Sequence, residues 1–417
     1  MLEINKIYLG DNLELLKQLD ENSIHSIVSD FPYNLGFMGK KWDTITNYYE
    51  WCYTRAVESL RVLKPGGYCL IFGGTRTHHR LVCAFEDAGF VIKDEIQWIY
   101  GSGFPKSYNI SKGFDKQAGA EREVIGISNK QPSGYIRHGR SDKEVFFGND
   151  KDRTPDMTTL PATDLAKQWD GWGTALKPAQ EPIMVAQKPI EKNYCYNVEK
   201  YGVGGLNIND SRVSYNNQQD LDTVKAKCNF TENSQSIGFG TADTLYGSGI
   251  TPLNQARDCV KEEGRFPANI IFDKAAADVL DEQSGYSKSK QSMRGIGYND
   301  SEIYGTGDEY FDTNRGFNDE GGASRFFYCA KANKKDRNEN GLIDNTHPTV
   351  KPTDLIKYLI RLVTPKNGIC LDLCEGSGTH AKVCIQLTKE DYPVNYIGLE
   401  NDEESFNISN KRIAVNQ

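Results

Sequence analysis

Long apolar runs are missing from this 417-residue chain: no stretch approaches eighteen consecutive apolar residues, so a membrane-spanning helix is not expected. The opening MLEINKIYLGDN has no basic-then-apolar leader, which makes the cytoplasm the expected compartment. There is no C-x-x-C and no H-E-x-x-H, and the ten cysteines are scattered, with Cys370 and Cys374 the closest pair. No metal is therefore expected, and in a reducing compartment such cysteines serve as small buried apolar residues. The phosphate loop G-x-x-x-x-G-K-[ST] is absent. A dinucleotide fingerprint begun at Gly376 fails after Gly378, where Ala381 and Lys382 stand in place of the third glycine. An excess of positive charge is lacking too: the net charge of −8 argues against a protein that coats nucleic acid, and leaves room for a local basic face.

What is present has the grammar of an α/β protein. Residues 3–9, 24–28, 68–74 and 97–100 read as strands; Leu13, Leu16 and Leu19 make a helical face, as do Tyr49, Tyr53, Ala56, Leu60 and Leu63, with Pro65-Gly66-Gly67 as the expected stop. The last eighty residues repeat the pattern: an apolar helix after Thr353-Asp354, a strand ICLDL, a helix opened by GSGTHAKVCIQL, a strand YIGLE and a final helix over 402–415. Alternation of this kind implies a doubly wound parallel sheet. Between about 112 and 340 the composition turns to Gly, Asn, Ser and Asp, with EPIMVAQ and ANIIFD as the clearest strands, so this region reads as a large insertion splitting one sheet domain.

Two constellations carry chemistry. In LDLCEGSGTHA, residues 371–381, a strand ends at Asp372, Gly376 and Gly378 open a helix, and Glu400 ends the next strand. The glycines let a ligand approach the backbone and the second acid suits ribose hydroxyls. An acid just ahead of the glycines is poor company for a pyrophosphate but suits a cation, which favours S-adenosylmethionine. In SDFPYNLG, residues 29–36, Asp30 stands at the carboxyl end of a strand, where open sheets place their ligands. A carboxylate and a backbone carbonyl accepting from an exocyclic amine would localise its lone pair for attack on a sulfonium methyl. Pro32 would set the turn, and the Tyr33 ring would stack on a base. A plain strand-end turn with a capping Asp is the competing reading.

DFPY resembles the D-P-P-Y motif of amino-group DNA methyltransferases, and LDLCEGSGT resembles their D-P-F-x-G-S-G-T cofactor motif. The flanks RVLKPGGYCLIFGG, HPTVKP (347–352) and YIGLENDEESFNISNKRI are similar as well, as are GWGTALKPAQEPI, GRFPANIIFD and RFFYCAKANKKDR within the insertion. The order, with the catalytic motif first and the cofactor motif last, resembles the beta class of phage and bacterial members. The resemblance implies a circularly permuted, doubly wound α/β S-adenosylmethionine-dependent methyltransferase fold. Its expected parts are a catalytic half at 1–115, a target-recognition insertion at 116–340 and a cofactor-binding half at 341–417. It implies Asp30 and the carbonyl of Phe31 as acceptors for the target amino group, with Pro32 and Tyr33 completing the catalytic loop. It implies Asp11 at the cofactor adenine, Glu400 at its ribose, Asp372, Gly376 and Gly378 around its methionine end, and Thr349, Lys351 and Thr353 along the same pocket. Two departures stand out: Phe31 replaces a proline, which frees one dihedral, and Leu373-Cys374 replaces Pro-Phe.

The implied reaction is site-specific transfer of a methyl group to N6 of adenine in double-stranded DNA, with base flipping and direct in-line attack. Asp at the first motif position favours adenine over N4 of cytosine, and no proline precedes a cysteine as carbon-5 chemistry commonly requires. N4-cytosine methylation, methylation of RNA or a protein amide, and a weakened relative that only binds DNA are the alternatives. Candidate DNA contacts are Lys40, Lys41 and Trp42 beside the flipped base, and Lys106, Lys112, Lys334 and Lys335 with Arg122, Arg137 and Arg140 on phosphates. No role falls to His78 or His79, and His347 reads as structural. A homodimer is compatible with the resemblance.

Overall fold

The computed structural model describes residues 2–36, 41–101, 103, 107–127, 157–215, 218, 221, 263–288, 292–295, 312–315, 320–330 and 334–417. The chain forms two compact units, one of Met1–Gly101 with Gln180–Gln417 and one of Ser102–Ala179.

The first unit is built on a nine-stranded sheet: β1 (Lys6–Leu9), β2 (Ile24–Asp30), β3 (Leu63–Phe72), β4 (Val91–Ile99), β5 (Gln180–Gln187), β6 (Ile270–Asp273), β7 (Tyr328–Ala330), β8 (Ile369–Asp372) and β9 (Asn395–Glu400). Their spatial order is β1-β9-β8-β2-β3-β5-β4-β6-β7. Every neighbouring pair is parallel except the two made by β5, which runs against both β3 and β4. Successive strand residues face opposite sides, and both sides are apolar. Val28, Leu70 and Phe72 join the core under the helices α4 (Thr353–Val363), α5 (Thr379–Lys389) and α6 (Glu403–Asn416). Ile27, Cys69 and Ile71 join the opposite core under α1 (Asn12–Leu16), α2 (Tyr48–Val62) and α3 (His78–Asp87). The expected doubly wound α/β architecture is present, and among the described residues no helix is long and apolar enough to cross a membrane.

Two local expectations differ from the structure. Helix α2 ends at Val62, before Pro65-Gly66-Gly67, because Leu63 is already extended and opens β3. Proline biases the residue before it away from helix, and the Pro-Gly-Gly triplet then forms an irregularity inside the strand: β2 advances two residues, Ile24 to Ser26, while β3 advances five, Leu63 to Tyr68. Residues 116–340 are also more than an insertion, since β5, β6 and β7 all belong to the central sheet. The two runs read as strands, EPIMVAQ and ANIIFD, are the cores of β5 and β6.

The second unit contains the helices Ile110–Ala118 and Asp164–Gln168 and an antiparallel pair of strands, Val124–Ile127 with Met157–Thr159. Its centre is the buried Asp115, which accepts from Arg122, from the amides of Ala162 and Thr163 and from the Thr163 hydroxyl. These donors hold its carboxyl down at about 2, against the opposing effect of burial.

Candidate active site

Asp30 ends β2, paired across the sheet with Phe72 at the end of β3. Its Oδ2 lies 2.5 Å from Lys351 Nζ, while its Oδ1 is buried with no hydrogen-bond partner among the described residues. Lys351 comes from the segment just before α4, 321 positions away in sequence. The same ammonium lies 3.4 Å from Glu181 Oε2, at the start of β5, and sits over the rings of Tyr33 and Phe72 at 5.3 and 5.0 Å. Tyr33 donates its hydroxyl hydrogen to Glu181 Oε2 at 2.7 Å. Burial opposes the Lys351 charge, but Asp30 and Glu181 outweigh it and hold the ammonium above its ordinary value. Burial and the same two carboxylates push the Tyr33 phenol well up, so it stays neutral and donates.

The loop after Asp30 is held at several points. The carbonyl of Pro32 accepts from Tyr48 Oη at 2.9 Å and that of Tyr33 from Thr77 Oγ1 at 2.7 Å. Asp43 accepts from the amides of Asn34 and Leu35 at 2.6 and 3.0 Å. Phe31, the departure from D-P-P-Y, turns inward: it is 1% exposed, edge-on to Trp51 with centroids 5.2 Å apart and 6.1 Å from Phe85. The position thus carries a core ring in place of a fixed dihedral.

Beside β2, strand β8 ends at Asp372. Asp372 Oδ1 accepts from Ser29 Oγ at 2.6 Å and from the Cys374 amide at 2.9 Å, so the two motifs are bonded to each other across adjacent strands. Gly376 and Gly378 have φ of +56° and +84°, which disfavours any side chain. A Cβ on Gly378 would lie 2.8 Å from that of Ser409, and one on Gly376 would lie 3.3 Å from His347 Nε2. Glu400, at the end of β9, accepts from the amides of Gly376, Asn401 and Asp402. Burial raises both acids to about 7, with Glu375 adding to the shift at Asp372. Glu375 accepts from the Ala381 amide and meets His380 Nδ1 at 3.2 Å, and Asp372, Glu375 and His380 form one buried cluster. Arg412, fully buried, donates to the Ser377 carbonyl, to Thr379 Oγ1 and to Glu339, and Glu339 also binds Lys382.

The remaining sequence candidates divide. Asp11 caps α1 through the amides of Leu13 and Glu14 and pairs with Arg55 at 3.1 Å. Thr349 is exposed, while Thr353 is buried with its Oγ1 unpartnered among the described residues. Lys351 reaches the Asp30 carboxylate, a neighbour its place in HPTVKP did not announce. Trp42 is half-buried in a single turn, Lys41–Asp43, and Lys112 is exposed on the helix Ile110–Ala118. Lys40, Lys106, Arg137 and Arg140 lie outside the described residues, as do the side chains of Lys41, Lys334 and Lys335. Arg122 is committed internally to Asp115, Ser111 and Thr159, which removes it from the phosphate contacts expected of it. Sequence reasoning missed Glu181, Ser29 and Arg412. For Glu181 the available signal was an acid heading an apolar strand within GWGTALKPAQEPI. Burial lowers the ring pKa of His347, whose carbonyl accepts from Arg337 at 2.5 Å, so it belongs to the wall facing Gly376.

A parallel sheet with one reversed strand, a Gly-x-Gly turn after one strand and buried acids at the ends of that strand and the next define an S-adenosylmethionine-dependent methyltransferase. The donor set fits the cofactor: carboxylates for its cationic and ribose groups, and a turn at Gly376 and Gly378 whose backbone carries no side chain of its own. Residues 24–411 match the N6/N4 methyltransferase family, described as DNA methylase, and the chain belongs to that family. It is 28% identical over 258 residues to the type II methyltransferase M.HindIII of Haemophilus influenzae, a match covering 52% of this chain and 69% of that protein. To M.HpaI of Haemophilus parainfluenzae it is 33% identical over 114 residues, 26% of this chain and 36% of that protein. Solved structures that align with it include PvuII DNA methyltransferase (cytosine-N4-specific), at 14% identity and a TM-score of 0.42, over 98% of this chain and 85% of that one. Another is M1.HpyAVI with S-adenosylmethionine, at 15% identity and a TM-score of 0.36, over 98% of each chain.

Proposed function

We propose that this DNA methyltransferase acts on N6 of adenine in double-stranded DNA, with Asp30 as the acceptor for the target amino group. The observation that carries the reading is Asp30 Oδ1, buried and without a partner among the described residues at the end of β2 while Lys351 holds Oδ2. A buried acceptor left open costs about 1–3 kcal/mol, and an amine N–H placed there removes that cost. Asp30 takes one N–H and the Phe31 carbonyl the other, drawing the nitrogen lone pair out of ring conjugation. When bound, S-adenosylmethionine supplies an electrophilic methyl group on its sulfonium. Lys351 holds the Asp30 carboxylate in place through its contact with Oδ2, and the Tyr33 ring offers a face to the extruded base. Extrusion from the duplex costs roughly a few kcal/mol. In this reading Lys40, Lys41 and Trp42 border the flipped base, and Lys106, Lys112, Lys334 and Lys335 hold phosphates. Asp11, Thr349, Thr353, Asp372, Gly376, Gly378 and Glu400 surround the cofactor. Segments of 116–340 outside the sheet strands read the target sequence.

The test is a digest of methyl-free genomic DNA, treated with protein and S-adenosylmethionine, analysed by nucleoside mass spectrometry beside an Asp30→Ala protein. N6-methyladenine from the wild type alone is the expected result. N4-methylcytosine would keep the role of Asp30 and replace the base. No modified base in DNA would remove the reading.

A further inference from the structure

We propose that Glu181 is a positioning residue of the methyl-transfer site, holding the Lys351 ammonium and the Tyr33 hydroxyl so that Asp30 and the Tyr33 ring keep one arrangement. The inference rests on the reading of Asp30 as the amino-group acceptor. Glu181 reaches the site because β5 is the reversed strand. Parallel strands β2 and β3 end at Asp30 and Phe72, β5 begins at that same edge, and Phe72 pairs with Ile183, two residues beyond Glu181 and on the same face. One oxygen, Oε2, meets both partners: Tyr33 Oη at 2.7 Å and Lys351 Nζ at 3.4 Å. All three side chains are largely withdrawn from solvent, Lys351 to 10% and Glu181 to 19%.

The geometry gives Glu181 a definite task. Lys351 has three N–H donors and lies against a carboxylate with two oxygens. Left alone with Asp30, the ammonium is drawn toward Oδ1 as well as Oδ2, and Oδ1 is the atom the substrate amine needs. Glu181 Oε2, 3.4 Å from the ammonium, offers it a second carboxylate and keeps Lys351 on Oδ2 alone. It also fixes the Tyr33 ring at its para position, so the stacking face and the open oxygen stay in register. The three charges sum to −1, complementary to a cationic methyl donor. Glu181→Gln would keep an acceptor for Tyr33 but would release Lys351 and neutralise the group.

The experiment measures kcat, the cofactor KM and the pH profile on methyl-free genomic DNA for wild type, Glu181→Gln, Glu181→Asp, Lys351→Met and the Glu181→Gln/Lys351→Met double variant. The expected result is a kcat lowered about tenfold or more in Glu181→Gln with the cofactor KM held within about twofold, and partial recovery in Glu181→Asp. In the double variant the second change adds nothing, because Glu181 acts through Lys351. Among the described residues the groups facing Lys351 are Asp30, Glu181, Tyr33, His347 and Tyr100. Loss of one of its two carboxylates moves the alkaline limb of the kcat profile to lower pH, a shift that a merely structural role would not produce. Glu181→Gln with kcat within about twofold of wild type and an unmoved limb, or losses that multiply in the double variant, would overturn the proposal. Wild type that methylates no DNA removes the functional reading and this inference with it; active wild type with an indifferent Glu181→Gln removes the inference alone.

Discussion

Phe31→Ala separates the two meanings that position 31 can have, a residue of the catalytic loop or a residue of the core. The ring is 1% exposed and packs edge-on against Trp51 and near Phe85. Truncating a buried Phe to Ala costs about 3–5 kcal/mol, and loss of the aromatic pairing adds about 0.5–1.5 kcal/mol. That is a large share of a total stability of about 5–15 kcal/mol. The loop itself keeps its independent anchors at Pro32, Tyr33, Asn34 and Leu35. The midpoint of urea denaturation, followed by tryptophan fluorescence, should therefore fall steeply, while kcat in the absence of denaturant stays within about threefold of wild type. Phe31→Pro should lose the same contacts and gain no turnover. A variant of unchanged stability whose kcat collapses would refute the reasoning, because the ring would then act on the substrate.

Two further outcomes follow from buried charges. Asp372 and Glu400, both raised to about 7, carry little charge for a cationic ligand at acid pH, so cofactor affinity should rise from roughly pH 6 to 8 with protons released on binding, then level off. The same raised values mean that their contribution to folding is most favourable at acid pH and declines as pH rises toward 7; calorimetry in buffers of different ionisation heat measures the proton release, and a pH-independent affinity would refute the assignment. Arg412→Met removes a fully buried cation shared by Glu339, Ser377 and Thr379 and should cost about 3–5 kcal/mol. Chemical denaturation checks it, and an unchanged midpoint would show the network to be expendable.

Much of the site is written locally. An apolar strand that stops at an acid, followed by proline and tyrosine, is legible because strand and turn preferences act over a few residues. Gly376 and Gly378 occupy left-handed conformations that side chains rarely adopt, and at Gly378 the neighbouring Ser409 leaves no room for one. For the same reason the alternating strands and helices, the two motif-bearing turns and the acids at the ends of β2, β8 and β9 are legible from residue order alone. That order could not assign direction to a side chain whose partner lies far along the chain. Phe31 reads as a loop residue until α2 and α3 supply Trp51 and Phe85. Lys351 reads as a cofactor contact until the sheet order sets its ammonium on Asp30, 321 positions away, and Glu181 has no role until β5 reverses and brings it 148 positions back to Tyr33. Arg122 reads as a free cation until the fold encloses Asp115. The physical reason is common to all four. A charge or a ring is assigned its work by the nearest complementary group, and in a crossed parallel sheet that group is chosen by strand order and strand direction, which are set when the chain folds.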